Sequence, residues 1–217
     1  MNAMLATARP LPVALDQFAQ SNPIPSRMRR HSVAGFDLSQ MEVDRFNAFL
    51  FVLGRTEAPF QIDQLATAAR GLSDRSIELS PTVGRRMRRA AAAALMLADP
   101  SWEAANDAIA VASLVVGYVR THNDLIPDEL PRVGRLDDAI VIDTAWPQLA
   151  DEVDDYLDYR RVRRIEARLR GRDSAGFQFS RGQWEQAAAA EAALAEHQRQ
   201  VRDRSYLPAP TSRFRIH

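Results

Sequence analysis

The sequence predicts an all-α fold: a compact helical bundle of about six to seven helices, with an irregular N-terminal arm and an extended C-terminal helix. Apolar residues recur at helical spacing in successive segments, and two of these segments follow the capping-box pattern that begins a helix. No segment alternates apolar and polar residues in the way that is typical of a half-buried strand. With 217 residues, 46% of them hydrophobic, the chain can bury one sizeable core.

Composition and charge exclude several classes of function. The 28 acidic residues balance 28 basic ones, all of which are arginine. There is no cysteine, which excludes disulfides, thiolate zinc sites and cysteine nucleophiles and fits a reducing, cytoplasmic setting. Prolines interrupt the first twelve residues, so we expect no signal peptide. The apolar run from Ala108 to Val119 is shorter than the roughly twenty residues that span a bilayer, so we interpret it as a buried core helix.

We divide the chain into three parts: an irregular arm over residues 1–37, a helical core over 38–170, and a C-terminal helix with its tail over 171–217. The arm contains four prolines and no sustained periodicity. Ser39 and Glu42 have capping-box spacing and predict the start of the first helix, which we expect to end near Gly54. A second helix is predicted from about residue 59 to residue 70.

The third and fourth helices are predicted from their end signals. Pro81 suits the first position of a helix, because its missing N–H has no partner there, and the helix should run to about Ala98. Ser101 is the expected N-cap of the fourth helix, which we place from Trp102 to about Arg120.

A fifth helix should begin near Leu136. The Trp146-Pro147 pair then predicts either a kink or a new helix with the proline in its first turn. This sixth element should run to about Arg170. A capping box at Ser180 predicts the last, alanine-rich helix, which we expect to end near Arg204.

The turn before the fifth helix is the candidate site. Its prolines restrict the backbone, and Asp124, Asp128, Asp137 and Asp138 lie close together in sequence around it. Carboxylate clusters of this kind suit a divalent cation such as Mg²⁺ or Ca²⁺, with His122 as a further ligand or proton carrier. The alternative is scaffolding, in which two of the aspartates stabilise the helix N-terminus and two accept backbone N–H groups in the turn.

The same residues resemble a known family. The run Asp124-Leu125-Ile126-Pro127-Asp128, followed by Pro131, Gly134 and Leu136-Asp137-Asp138-Ala139, is similar to the signature of the YkvA-like domain of unknown function. This small helical family is spread through bacteria, and the resemblance covers about residues 85–145. It implies a bacterial helical fold and an important loop, but no reaction. The chain departs from the family's usual pattern at three positions. Thr121 and His122 stand where the family usually has serine and proline, and Glu129 stands where it has a bulky apolar residue. The loop is therefore more polar, which argues against the membrane association described for the family.

Two arginine-rich segments bear on partners. One is at the start of the third helix (Arg85, Arg86, Arg88, Arg89), and the other extends over residues 160–172. Either would attract nucleic acid or an anionic membrane surface. The neutral net charge and the lack of a reader motif argue against nucleic acid. The second segment follows an acidic half-helix and has Glu166 four residues before Arg170, so we interpret it as a solvated, self-compensating helix.

We therefore predict a non-enzymatic interaction or scaffold module, with a protein partner or self-association through its helical ends. No nucleophile elbow and no phosphate-binding glycine loop is present in the sequence. One alternative is a divalent-metal-dependent hydrolase, in which the four aspartates hold an ion that activates water. A second is a peripheral membrane protein that attaches without spanning the bilayer.

Overall fold

A computed structural model describes residues 31–33, 36–73, 81–121, 124–130, 133–174 and 176–204. Within these residues the chain forms a small pair of strands and a set of helices, which confirms the predicted all-α class. The elements are β1 (Ser32–Val33), β2 (Phe36–Asp37), α1 (Gln40–Val52), α2 (Ile62–Ser73), α3 (Pro81–Ala98), α4 (Asn106–Arg120), α5 (Leu136–Leu169) and α6 (Arg181–Arg204).

The two strands pair antiparallel, with Val33 opposite Phe36. Strands of two residues are too short to show an alternating pattern of apolar and polar residues, so this pattern could not predict them. The chain divides into two compact units, Met1–Arg160 and Arg161–His217. The first unit holds the candidate site, and the second holds the end of α5 and all of α6.

Both predicted capping boxes are confirmed. The Ser39 N–H donates to Glu42 Oε2 at 3.2 Å, and the Glu42 N–H donates to Ser39 Oγ at 3.2 Å. At the start of α6, the Ser180 N–H donates to Gln183 Oε1 at 2.9 Å and the Gln183 N–H donates to Ser180 Oγ at 3.3 Å. These starts are predictable because each cap joins groups only three residues apart.

The predicted start of α4 is wrong by four residues. The helix begins at Asn106, and its N-cap is Ala105, which makes no side-chain cap. Trp102 lies in the preceding turn, fully buried, where its indole N–H donates to Glu152 Oε1 at 2.9 Å and its ring packs against Tyr156. Burial of a large aromatic side chain with a satisfied N–H outweighs the local serine cap before it.

The prediction of a new helix at Pro147 is also wrong. Helix α5 continues for 34 residues with Pro147 inside it. A proline removes one helical hydrogen bond, here the N–H that would reach the carbonyl of Asp143. Ala145 and Leu149, on either side of the proline, are buried in the core. We attribute the continuity of the helix to this tertiary packing.

The predicted basic patch on α3 is only partly at the surface, where Arg88 is exposed and Arg85 is partly buried. Arg86 and Arg89 are buried and hold the carboxylate of Asp143 on α5 from two sides. Arg86 Nη2 lies 2.8 Å from Asp143 Oδ2, and Arg89 Nη1 lies 3.1 Å from Asp143 Oδ1. This buried ion cluster joins α3 to α5, the helix whose first turn carries the candidate site.

Helix α4 is only half buried. Ala112 and Val115 are in the core, whereas Ile109 and Leu114 are each more than a third exposed. The expected core helix is thus an amphipathic one. None of the described helices combines the length and the hydropathy of a membrane-spanning segment.

Candidate functional site

The loop before α5 turns back closely onto the start of that helix. Gly134 lies where an added Cβ would be 2.4 Å from the carbonyl oxygen of Asp128 and 2.8 Å from that of Leu130. The Gly134 N–H donates to the Leu130 carbonyl at 3.0 Å, and the Leu130 N–H donates to the Pro127 carbonyl at 3.0 Å. Only glycine permits so close an approach, and the approach brings the loop aspartates toward the first turn of α5.

Asp137 ties three elements together. It is fully buried, and its Oδ2 accepts hydrogen bonds from the Tyr118 hydroxyl at 2.9 Å and from the Ile126 N–H at 3.2 Å. Tyr118 belongs to α4 and Ile126 to the loop, so this one carboxylate anchors both to α5. Burial raises the pKa of Asp137 to about 7, although the two hydrogen bonds favour its charged form.

Asp138 is buried and has no such anchors. It is 1% exposed, and neither carboxylate oxygen has a hydrogen-bond partner. Burial first, and then the charges of Asp137, Asp128 and Asp124, raise its pKa to about 7 against the opposing charge of Arg135. Asp138 is therefore within electrostatic range of the other three predicted aspartates.

Asp128 is paired on one side only. Its Oδ2 lies 3.3 Å from Arg135 Nη2, while its Oδ1 is buried without a hydrogen-bond partner. His122, the predicted additional ligand, lies outside the described residues. Within the described part of the chain, no three acidic or histidine side chains are arranged to hold a metal ion. The metal set of Asp124, Asp128, Asp137 and Asp138 thus stays a prediction.

A pocket of about 250 Å³ adjoins the cluster through Tyr118 and Asp124. The Phe49 and Tyr118 rings stack with centroids 5.2 Å apart beside it. Burial and the charge of Asp137 raise the pKa of Tyr118, so its hydroxyl stays protonated and acts as a donor. The pocket mixes charged and aromatic side chains: Glu42, Arg45, Phe46, Phe49, Tyr118, Asp124 and Leu125.

A larger groove of about 520 Å³ lies between α3 and α4. Its lining is apolar apart from two arginines: Met87, Ala90, Ala91, Ala94, Leu95, Ala98, Val116, Val119, Arg120 and Arg135. This lining has no carboxylate, hydroxyl or imidazole, which are the usual groups for general acid, general base or nucleophilic catalysis. The groove therefore offers an apolar surface with two guanidinium groups.

Sequence reasoning missed Tyr118 and the buried arginines. Tyr118 stands near the end of α4, and nothing local distinguishes a tyrosine that donates to a carboxylate from one that packs. Arg86 did leave a signal, because it shares the buried stripe of α3 with Val83 and Ala90 at helical spacing. An arginine on an apolar stripe indicates a buried ion pair, and its partner had to be an acidic residue elsewhere in the chain.

Residues 108–142 match the family described as "Protein of unknown function (DUF1232)". The match covers α4, the loop and the first turns of α5, and so includes all four predicted aspartates. The YkvA-like resemblance seen in the sequence is consistent with this family. No curated protein and no solved structure matches the chain.

Proposed function

We propose that this protein is a non-enzymatic scaffold module that self-associates through α6. The observation that carries this proposal is the exposure of the helix: every residue from 189 to 204 is exposed. In proteins, most of the stability of a helix comes from packing an apolar face against another element. A second copy of the same helix would supply that packing.

The exposed part of α6 carries an apolar stripe. Ala190, Leu194 and Val201 lie at positions i, i+4 and i+11 and share one face of the helix. Leu194 is 57% exposed and Val201 is 54% exposed, so two large aliphatic side chains one heptad apart are open to solvent on this face. This face suits a helical partner with the same spacing.

The charges on α6 favour an antiparallel partner. Its exposed segment, residues 189–204, carries Glu191 and Glu196 in the first half and Arg199, Arg202, Asp203 and Arg204 in the second half, which is therefore net basic. An antiparallel pair places the acidic half of each copy beside the basic half of the other, whereas a parallel pair places like charges together. If the two helices cross near residue 197, Leu194 of one copy lies beside Val201 of the other copy. Glu191 of one copy then lies on the same edge of the interface as Arg202 of the other.

Sedimentation of the full chain over a wide range of concentrations tests this function. We expect a reversible dimer of micromolar or weaker affinity, because a pair of short helices buries less than the standard interface of about 1,600 Å². Leu194→Glu should give monomers, since it puts a charge in the centre of the pair. Ala189→Glu adds the same charge about 120° around the helix from this stripe and should leave the dimer intact.

A charge exchange gives a sharper test. Glu191→Arg and Arg202→Glu should each weaken the dimer by setting like charges along one edge, and the double variant should recover it. Helix content by circular dichroism serves as the control for folding. A chain that is monomeric at every concentration would contradict the proposal, as would equal effects of Leu194→Glu and Ala189→Glu.

A further inference from the structure

We propose that the carboxylates at the start of α5 form a binding site for one divalent cation, centred on Asp138. This inference does not depend on self-association through α6. The first observation is that Asp138 is almost completely buried and that neither of its oxygens has a hydrogen-bond partner. An ionised carboxylate in such a place costs several kcal/mol unless a counter-charge meets it.

The neighbouring oxygens point to the same kind of ligand. Asp137 Oδ1 and Asp128 Oδ1 are also buried and also lack a hydrogen-bond partner. Carboxylate oxygens accept and cannot donate when they are ionised, so they cannot satisfy one another. The missing group must be a donor or a cation, and the charges that act on Asp138 are mostly negative.

Among the described residues, the cation that reaches the cluster does not neutralise it. Arg135 reaches Asp128 Oδ2 at 3.3 Å, but its side chain is 41% exposed and it forms no ion pair with Asp138 among the described contacts. By contrast, Asp143 on the same helix meets two arginines. Within the described part of the chain, Asp143 thus meets two arginines, whereas the acidic cluster around Asp138 meets one partly exposed arginine through Asp128.

The donor set selects the class of ion. All the available atoms are carboxylate oxygens, which suit hard cations such as Mg²⁺, Ca²⁺ and Mn²⁺. Since no three described side chains are arranged around one point, a cage made entirely of protein does not fit. Mg²⁺ commonly binds through one or two carboxylates and keeps several waters, so Asp138 with one neighbouring aspartate suffices. The neighbouring pocket is lined by Asp124, whose charge acts on Asp138, and by Tyr118, whose hydroxyl donates to Asp137.

The test is the melting temperature of the full chain at mildly alkaline pH, first in EDTA and then with excess Mg²⁺, Ca²⁺ or Mn²⁺. Sodium chloride of equal ionic strength controls for general screening of the acidic cluster. We expect Tm to rise by about 5 to 10 °C at an ion concentration near 100 times Kd. Titration calorimetry with Mn²⁺ should give one ion per chain.

Two variants make the result specific. Asp138→Asn keeps the side chain's shape, removes its charge and should abolish the shift. Asp151→Asn removes an exposed charge from the same helix and should retain the full shift. The proposal is overturned if the divalent ions do no more than sodium, or if Asp138→Asn responds as the wild type does. Stabilisation by Asp138→Asn in EDTA, with no ion effect on the wild type, would identify Asp138 as a protonated structural acid.

Discussion

Helix α5 carries two buried carboxylate sites that the fold treats in opposite ways. Asp143 is held by Arg86 and Arg89 of α3, at distances of 2.8 and 3.1 Å. Asp138, about a turn and a half earlier in the same helix, is as well buried and has no hydrogen-bond partner. Burial of a charge costs free energy in both places, but among the described residues only Asp143 meets arginines. The contrast is between a carboxylate that links two helices and one for which we propose a bound cation.

The largest expected effect comes from breaking the compensated site. Asp143→Asn leaves Arg86 and Arg89 buried without their counter-charge, so we expect a loss of about 3 to 5 kcal/mol in the free energy of unfolding. Urea denaturation measures it. Asp138→Asn is the matched control, because it makes the same change in the same helix and should not destabilise. Equal losses in the two variants would remove the contrast between the sites.

The next effect concerns how the loop reaches the uncompensated site. Gly134→Ala puts a Cβ 2.4 Å from the Asp128 carbonyl, and a backbone atom cannot move aside cheaply. We expect a loss of about 2 to 3 kcal/mol. Gly117→Ala is the control: nothing lies within 4 Å of its Cβ, and alanine in a helix interior should stabilise by up to about 1 kcal/mol. A tolerated Gly134→Ala would show that the loop does not need this close approach.

The smallest effect is a pH dependence of stability in EDTA. The pKa of Asp138 is raised from 3.8 to about 7, so the folded protein binds this proton more tightly than the unfolded chain does. Protonation therefore stabilises the fold at low pH, and this contribution is lost as pH rises from about 4 through about 7. We expect the free energy of unfolding of the wild type to fall across that window.

The same measurement on Asp138→Asn should give a flatter profile, because one of the titrating carboxyls is gone. Asp137, whose pKa is also raised to about 7, keeps part of the slope. Thermal or urea unfolding at a series of pH values would show the difference. A wild-type profile that rises with pH over this window would contradict the assignment of Asp138 as a buried, uncompensated acid.

Local signals gave much of the fold correctly. The helix starts at Ser39 and Ser180 were predictable, because each cap is made by groups three residues apart. The predictions failed where a distant contact prevailed over a local signal. Trp102 stays out of α4 because Glu152, fifty residues later, accepts its N–H, and Pro147 does not begin a new helix because its neighbours are buried in the core.

The candidate site divides in the same way. The sequence identified Asp124, Asp128, Asp137 and Asp138 as neighbours, since a short proline-stiffened turn holds them together. It could not tell which of them would be anchored. Asp137 accepts hydrogen bonds from the Tyr118 hydroxyl and the Ile126 N–H, whereas Asp138, the next residue, accepts neither. Adjacent side chains on a helix point about 100° apart, so they meet different neighbours.

The sequence by itself determined the helical class, the capped ends and the closeness of the acidic residues, because these depend on groups within a few residues of one another. Tertiary structure alone decided which charges would be neutralised. Arg86 donates a hydrogen bond to Asp143, 57 residues later in the sequence, so an arginine that was predicted to lie at the surface links α3 to α5 in the core. Such pairings follow from how whole helices pack, and no local pattern of residue types specifies them.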